Sequence, residues 1–332
     1  MPSPGQSSLF NVFTEMVSTT HRNHKTEVAD NMSNHNALFR RLYKKGRYTR
    51  LDGGLSIVRP LEYAENSTYL RYSGYDKLNI QAVDVITSAE YPWRYVSANV
   101  AANGGEIRNN KGENRMVNLV KTKINNCRKS MANGLSRDLY SDGAATNQIN
   151  GLQALIADNG QGTVGGINAG TTLGEFWKNV VQSAASPLQG GAGITVSAAT
   201  IQSLMLPLYL RLTHGSEVPD FITLSEDYFT FFEQSETPNK RYASSDEEAD
   251  AGFVRMKYKG SDVFWDSAAS GIPTAHGYFV NTDNLELCVH EDADMELMEE
   301  LRSVDQDAII IPMIFQGNLA CSNRRNQGVM KA

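Results

Sequence analysis

Few residue groups in the sequence have types and spacing that could support catalysis or ligand binding. The segment Gly160-Gln-Gly-Thr-Val-Gly165 satisfies the GxGxxG pattern of dinucleotide-binding loops. In those loops a strand precedes the glycines and a helix follows at once, so that the helix N-terminus meets the phosphate. Here residues 166–172 are further turn formers, and the next predicted helix starts late. We therefore interpret the segment as a surface loop and expect no cofactor.

Histidine, serine and acidic residues provide three further candidates, each with a weak pattern. His21 and His24 lie in a cationic segment, which is a poor setting for a metal ion. His214 and Ser216 place an imidazole near a hydroxyl, but the GxSxG nucleophile elbow is missing. The acidic run 246–250 does not have the spacing of a calcium loop. We expect no catalytic residue, no enzyme activity and no metal site.

The composition is that of an ordinary folded protein. The 332 residues are 41% hydrophobic and 20% charged, so the chain can bury a large core. Cys127, Cys288 and Cys321 lie far apart without a CxxC pair, which argues against a disulfide framework or a zinc site. The first residues lack the pattern of a signal peptide, and no apolar run is long enough to span a bilayer. We expect neither secretion nor a membrane partner.

Charge is distributed unevenly along the chain. Residues 1–59 hold nine Lys and Arg against four Asp and Glu, whereas residues 216–310 hold six against twenty-two. On charge alone, two solvated surfaces are the simpler interpretation. The basic segment 40–50 could also bind phosphates without sequence specificity or meet the acidic region of a neighbouring copy. Between these two contacts we favour the one between subunits, with Arg40 and Arg41 as its candidate residues.

Hydrophobic periodicity predicts an α+β fold with one long helix and one long hairpin. The long helix covers residues 113–140, where apolar residues recur every three or four positions from Met116 to Leu139. Shorter helices are predicted over residues 37–47, 173–182, 200–212, 225–232 and 293–301. Strands are predicted in the hairpin, where the first strand continues at residues 69–72 after a turn. Further strands are predicted over residues 221–224, 253–258, 263–265 and 278–280.

The predicted hairpin is rich in aromatic residues, with seven between positions 63 and 95. A long isolated hairpin is marginally stable in water, and Tyr and Trp are enriched in protein interfaces. Either the hairpin folds back on its own chain or a neighbouring subunit covers it. The candidate interface residues are Tyr63, Tyr69, Tyr72, Tyr75, Trp93 and Tyr95.

Several motifs, in their order and spacing, resemble the major capsid proteins of tailed double-stranded-DNA bacteriophages. Residues 54–65 resemble the rising strand of the family's extended loop, residues 72–75 its far end and residues 89–93 its return. The helix 113–140 looks like the family's spine helix. Weaker similarities to the axial domain and closing strands lie at residues 148–152, 163–167, 176–177, 316–319 and 322–325. The resemblance runs from about Leu38 to Val329.

The resemblance implies the Johnson fold and a structural role. The implied parts are an N-terminal arm (1–50), an extended loop with flanking strands (51–100), a peripheral domain with the spine helix (101–145), an axial domain (146–245), a return to the peripheral domain (246–300) and closing strands of the axial domain (301–332). Such subunits form hexamers and pentamers of an icosahedral shell around double-stranded DNA, which they contact without sequence specificity. Assembly would take place in the host bacterial cytoplasm, and the product is the virion.

The same resemblance implies further partners and leaves two alternatives open. A portal is expected, and a decoration protein is a further candidate partner. Some family members carry a long N-terminal scaffolding extension, but here only about 35 polar residues precede the fold, so we expect a separate scaffolding protein. The alternatives are an encapsulin-like compartment of the same fold that encloses an enzyme, and a nucleotide-using enzyme built on residues 145–330.

Overall fold

The computed structural model describes residues 37–78, 81, 84–109, 119–236, 256–266, 268–299, 301–302 and 307–332. The expected arm before residue 37, with His21 and His24, lies outside the described residues, as do the acidic run 246–250 and the start of the predicted long helix. The chain forms two compact units. The smaller unit contains Ser97–Asn133 and Met295–Ile314, and the larger one contains Asn34–Val96, Gly134–Asp294 and Phe315–Ala332.

The larger unit begins with the short amphipathic helix that the sequence predicted. Helix α1 (Ala37–Lys44) buries Leu38 and Leu42 completely, while its basic residues lie toward the polar side. Gly46 adopts a φ of +68°, a left-handed conformation that suits glycine at a helix end. Strand β1 (Tyr48–Leu51) follows and pairs in parallel with a later strand, with Tyr48 opposite Leu287.

The next two strands form the base of the predicted hairpin. Strand β2 (Ser56–Glu62) pairs antiparallel with β3 (Ile86–Pro92), with Ile57 opposite Tyr91. Alternate side chains on both strands are buried, as expected for a ribbon with one covered face. The predicted strand at 69–72 is wrong. Those residues have no regular secondary structure and lie between two turns. The first turn forms because the Asn66 side chain accepts hydrogen bonds from the backbone N–H and the hydroxyl of Thr68.

A six-stranded mixed sheet forms the centre of the larger unit. Its strands, in spatial order, are β7 (Val180–Ser183), β15 (Gly328–Lys331), β11 (His276–Val280), β8 (Phe221–Ser225), β10 (Ser261–Asp266) and β9 (Met256–Tyr258). The pairs β7–β15 and β8–β10 are parallel, and the other pairs are antiparallel. All five residues of β8 are buried, which is typical of a central strand covered on both faces.

Two helices cover one part of this sheet and complete its core. Helix α5 (Ile201–Leu212) and helix α6 (Glu226–Ser235) confirm the predictions for these regions, and the single-turn helix α4 (Leu152–Leu155) precedes them in the chain. The fully buried core residues include Leu204, Leu208, Ile222 and Phe232. Strands β9 to β11 come from the region that was expected to return to the peripheral domain. Strand β10 pairs in parallel with β8, which precedes residue 245 in the chain, and the domain boundary expected at that residue stays a prediction.

Two predicted helices are wrong. Residues 173–182 form a 3₁₀-helix at Glu175–Trp177 followed by β7, and residues 293–297 belong to strand β12 (Leu285–Leu297). Both segments have neighbouring strands to pair with, since β15 lies beside β7 and β14 (Ala308–Cys321) lies beside β12. Tertiary pairing therefore overrides the local helical pattern.

The smaller unit contains β4 from residue 97 (Arg94–Asn103), α2 (Gly104–Asn109) and the first part of α3 (Leu119–Asp138). Later in the chain, β13 (Leu301–Arg302) pairs antiparallel with β14 (Ala308–Cys321), whose first part belongs to this unit. Lys123 Nζ lies 2.6 Å from Glu106 Oε2 and 3.1 Å from the Ala101 carbonyl oxygen. The long predicted helix is confirmed over Leu119–Asp138, with Cys127 and Met131 buried on its apolar stripe.

Candidate interaction surface

The GxGxxG segment does not form a phosphate-binding loop. Gly165 and Gly166, with φ of +59° and +77°, make the tight turn of a hairpin between β5 (Thr163–Val164) and β6 (Ile167–Asn168). Positive φ at both central residues is the geometry of a two-residue hairpin turn. A dinucleotide site needs a helix directly after the glycines, and the chain continues here as a strand. The nucleotide-using alternative therefore loses the motif on which it rested.

Among the other described candidates, His214 and Ser216 lie in a hydrogen-bonded turn. His214 and Glu217 exchange backbone hydrogen bonds of 2.9 and 3.0 Å around a turn that contains Ser216. Over the described part of the chain, no group of three or more His, Cys, Asp or Glu residues could hold a metal ion. Cys127, Cys288 and Cys321 are buried free thiols. No helix among the described residues combines the length and apolarity needed to cross a membrane.

The basic segment is paired with acidic residues of its own chain. Arg41 Nη2 lies 3.1 Å from Asp220 Oδ2, and Arg41 Nη1 lies 3.1 Å from Asp262 Oδ2. Lys45 Nζ lies 2.9 Å from Asp220 Oδ2. Burial raises the pKa of Asp220, but hydrogen bonds from Thr282 and Lys45 outweigh it, and the pKa of Asp220 is below its usual value. Charge pairing thus anchors α1 on the larger unit.

These ion pairs change the interpretation of the charge asymmetry. Arg47 Nη2 lies 2.9 Å from Asp283 Oδ1, and Arg50 Nη2 lies 2.6 Å from Asp294 Oδ2. The acidic partners of the basic segment are therefore in the same chain. The Arg41 guanidinium bridges two carboxylates of its own chain, and its expected contact with a neighbour stays a prediction. Arg40 is half-buried on the same helix, and its contact with a second subunit stays a prediction.

The region from residue 55 to residue 95, which includes β2, β3 and the segment between them, concentrates exposed apolar side chains. Nine of the 17 large hydrophobic residues that are exposed in the described chain lie between positions 55 and 95, which makes this stretch the main candidate surface. They are Leu55, Val58, Tyr69, Leu70, Tyr72, Tyr75, Leu78, Ile86 and Tyr95. Among the candidate aromatics, Tyr69, Tyr72 and Tyr75 are 83%, 65% and 103% exposed, and Tyr95 is 57% exposed.

Two of the candidate aromatics pack within their own unit instead. Trp93 is 8% exposed, and its indole Nε1 donates a hydrogen bond of 2.9 Å to the Gly54 carbonyl oxygen. Tyr63 is half-buried, with its ring centroid 5.7 Å from that of Phe176. Both side chains are thus partly or mostly covered by their own chain, and their contact with a second subunit stays a prediction. The side chains of Tyr69, Tyr72 and Tyr75, which we call the tip tyrosines, keep most of their surface exposed.

The base of the segment is held by contacts with distant residues, whereas the described tip contains local turns. Arg59 Nη2 on β2 lies 2.5 Å from Glu286 Oε2. The Tyr91 hydroxyl on β3 donates a hydrogen bond of 2.9 Å to the Cys321 carbonyl oxygen. At the tip, the backbone N–H of Ser73 donates to the Asp76 carboxylate at 2.7 Å, within a turn that contains Tyr75. An anchored base with outward aromatic side chains is suited to contact another molecule.

Sequence reasoning missed a buried arginine in the larger unit. Arg324 is 0% exposed, and burial lowers the pKa of its guanidinium. Its Nε, Nη1 and Nη2 donate to the carbonyl oxygens of Leu155, Trp177 and Gln161 at 2.6, 3.3 and 2.7 Å. The arginine thus connects three separate segments of the chain by hydrogen bonds. The only sequence signal was a pair of adjacent arginines in a polar run, which also describes an exposed loop.

A buried carboxyl group was missed as well, and it predicts a pH dependence of stability. Asp266 accepts hydrogen bonds from the Tyr140 hydroxyl and from Ser270, and burial raises the pKa of Asp266 to about 6. An unfolded aspartate titrates near pH 4. Between about pH 4 and pH 6 Asp266 is therefore more protonated in the folded chain than in the unfolded chain, and its contribution to the free energy of unfolding falls as pH rises through this window.

The variant Asp266→Asn cannot titrate and should flatten this dependence. We expect the difference between wild type and variant to change by about 2–3 kcal/mol between pH 4 and pH 7. Urea unfolding of both proteins at several pH values in this range measures it. Parallel curves for the two proteins would contradict the assignment.

Comparison with known proteins identifies the fold. No protein-family model matches the sequence, and no curated protein matches it. The capsid asymmetric unit of cyanophage A-1(L) matches with a TM-score of 0.63 and 17% identity, covering 93% of this chain and 96% of the other. The capsid of an empty GTA particle matches with a TM-score of 0.62 and 11% identity, covering 98% and 99%.

A structure of the major capsid and decoration proteins of phage G extends the comparison. It matches with a TM-score of 0.51 and 9% identity, and covers 100% of this chain and 99% of the other. These identities are too low to carry individual residues from one protein to another. The agreement in fold covers both units and nearly the whole chain. The chain therefore has the fold of tailed-phage capsid proteins that its sequence motifs resemble.

Proposed function

We propose that this chain is a structural major capsid subunit that assembles with copies of itself into a closed shell. The observation that carries the proposal is the capsid fold over at least 93% of the chain. An exposed aromatic segment with an anchored base supports it, since an apolar surface of this kind favours a protein partner. A structural rather than enzymatic role is part of this proposal, and the hairpin turn formed by the motif that suggested nucleotide chemistry supports it.

In this proposal the tip tyrosines bind the neighbouring subunit. An aromatic side chain offers about 150–250 Å² of surface, and burial of apolar area contributes about 25 cal/mol per Å². Partial burial of three tyrosines would contribute about 5 kcal/mol before the cost of association. Such a contact is weak for one pair of subunits. Repetition around a ring makes the assembly stable, because each subunit then gains two contacts.

The contact is of the head-to-tail kind. A segment that leaves one subunit and lies on a different patch of the next forms a heterologous interface, which closes into rings when the rotation permits. Hexamers and pentamers are the rings that build an icosahedral shell. Arg40 and Tyr95 are further candidates for this interface, and the residues before Ala37 are candidates for a second overlap between neighbours.

Further partners follow from a shell that packages DNA. The shell encloses double-stranded DNA and contacts it without sequence specificity. A separate scaffolding protein and a portal take part in assembly, which takes place in the host bacterial cytoplasm and ends in the virion. A decoration protein is a candidate partner, since the phage G structure contains decoration proteins beside the major capsid proteins.

Sedimentation velocity of the purified protein, alone and with a scaffolding protein, tests the proposal. Rings or larger shells are expected, and only monomers under both conditions would contradict it. Nuclease treatment of the particles distinguishes the contents. Protected DNA supports the phage shell, whereas an enclosed protein without DNA supports the encapsulin-like alternative.

A further inference from the structure

The glycine-rich hairpin of β5 and β6 contacts the base of the extended segment. This segment comprises β2, β3 and the residues between them, and the two strands are its base. The backbone N–H of Glu90 on β3 donates a hydrogen bond of 3.0 Å to the Gly165 carbonyl oxygen. A Cβ atom on Gly165 would lie 2.7 Å from the Cβ of Ala89 and 3.2 Å from Cζ of Tyr91. Contacts this short cannot form without displacement of an atom. Only glycine therefore permits the observed approach of the two backbones.

A second contact supports the same base from the end of β2. The ring of Tyr63, directly after β2, packs on Phe176 in the 3₁₀-helix. The neighbouring Trp177 donates an indole hydrogen bond of 3.0 Å to the Val164 carbonyl oxygen on β5. The hairpin and the 3₁₀-helix thus form one continuous support, which touches β2 at its end and β3 in its middle.

The buried arginine connects the two parts of this support by hydrogen bonds. Arg324 donates to the carbonyl oxygen of Gln161, which lies just before the hairpin, and to that of Trp177. A charged donor to a carbonyl oxygen is stronger than a neutral one, and the guanidinium presents its donors in a fixed planar arrangement. The positions of both loops are therefore fixed relative to the same side chain.

We infer that the β5–β6 hairpin and residues 175–177 form a clamp that sets the direction in which the extended segment leaves the subunit. Gly165 is the positioning residue of this loop clamp. The inference rests on the proposed function, because direction matters only if the tip must reach a neighbour. A chain of ten residues spans up to ~33 Å. A tilt of about ten degrees at its base moves the tip by up to ~6 Å, which is the width of a tyrosine contact.

Two neighbouring glycine variants separate the clamp from ordinary backbone strain. Gly165 and Gly166 both have positive φ and share one turn, but nothing lies within 4 Å of a Cβ placed on Gly166. Both alanine variants are therefore strained, and only Gly165→Ala is also pushed away from β3. We expect Gly165→Ala to exchange the Glu90 amide at least tenfold faster and to lower the yield of closed shells at least tenfold. Gly166→Ala should form shells of wild-type diameter.

A compensating variant tests the contact directly. In Gly165→Ala combined with Ala89→Gly, the closest clash is removed, so amide protection at Glu90 and shell yield should recover most of the loss. If Gly165→Ala does not fold, Phe176→Ala tests the clamp instead, because it removes the ring contact at a half-buried position and should lower shell yield while the chain stays folded.

Three results would overturn the inference. One is normal shell yield with unchanged Glu90 exchange in Gly165→Ala, and another is equal impairment in the two glycine variants. The third is normal shell yield in Phe176→Ala. Failure of the proposed function has a different signature, since the wild-type protein would then form no shell at all. Glu90 exchange in the monomer would still report on the clamp in that case.

Discussion

Substitution of serine for the three tip tyrosines should prevent shell assembly and leave the chain folded. The side chains of Tyr69, Tyr72 and Tyr75 are exposed, so their removal should change the free energy of unfolding by less than about 0.5 kcal/mol. Each contact between subunits would lose about 5 kcal/mol of apolar burial. Because this loss recurs at each interface of a ring, we expect the yield of shells to fall at least a hundredfold.

Phenylalanine provides the matched control. Replacement of the same three tyrosines by phenylalanine keeps the rings and their apolar area, and this variant should still assemble. Thermal unfolding reports the fold, and sedimentation reports the shells. Wild-type shell yield from the serine variant would rule out the tip tyrosines as an assembly contact. Equal loss in both triple variants would instead assign the contact to the hydroxyl groups.

Loss of the buried arginine should have the largest effect on stability. In Arg324→Met the aliphatic part of the side chain is retained, but the carbonyl oxygens of Leu155, Gln161 and Trp177 lose their donors. A buried polar group without a partner costs about 1–3 kcal/mol. Relief from burying the charge offsets part of this, so we expect a net loss of about 3–5 kcal/mol in the free energy of unfolding.

The adjacent arginine gives a control with the same chemistry. Arg325 is exposed, and Arg325→Met should change the free energy of unfolding by less than about 0.5 kcal/mol. Urea unfolding of the monomeric proteins compares the two. Similar stabilities for the two variants would show that the three carbonyl contacts do not matter for the fold.

The parts of the fold that could be predicted from the sequence are those with a strong local period. Helix α1, the described part of α3 and the core helices α5 and α6 all have apolar residues at helical spacing, and each lies where it was expected. Strand β8 was recognisable as a short apolar run. In these segments local preference and tertiary packing agree, so no distant information is needed.

The errors occurred where a distant partner decides the structure. The acidic segment at residues 293–297 is a strand because neighbouring strands pair with β12, and the sequence does not indicate those partners. Charge patterning likewise could not show that Arg41 meets Asp220 and Asp262 of its own chain. One signal was available and unused, since Gly165-Gly166 between two apolar residues is a typical hairpin turn.

The candidate surface was predicted in part. The aromatic content of residues 63–95 indicated an interaction surface, and the exposed tip tyrosines agree with that interpretation in their positions. The sequence could not separate these residues from Trp93, which packs on its own chain. Burial depends on which side of the ribbon a residue faces and on what covers that side, and both follow from the tertiary structure.

Negative-stain electron microscopy of the purified protein, alone and after co-expression with its genomic neighbours, tests the central claim most directly. Closed polyhedral shells or capsomer rings are the predicted result. Strictly monomeric protein under every condition, with the scaffolding protein included, would contradict a role in shell assembly.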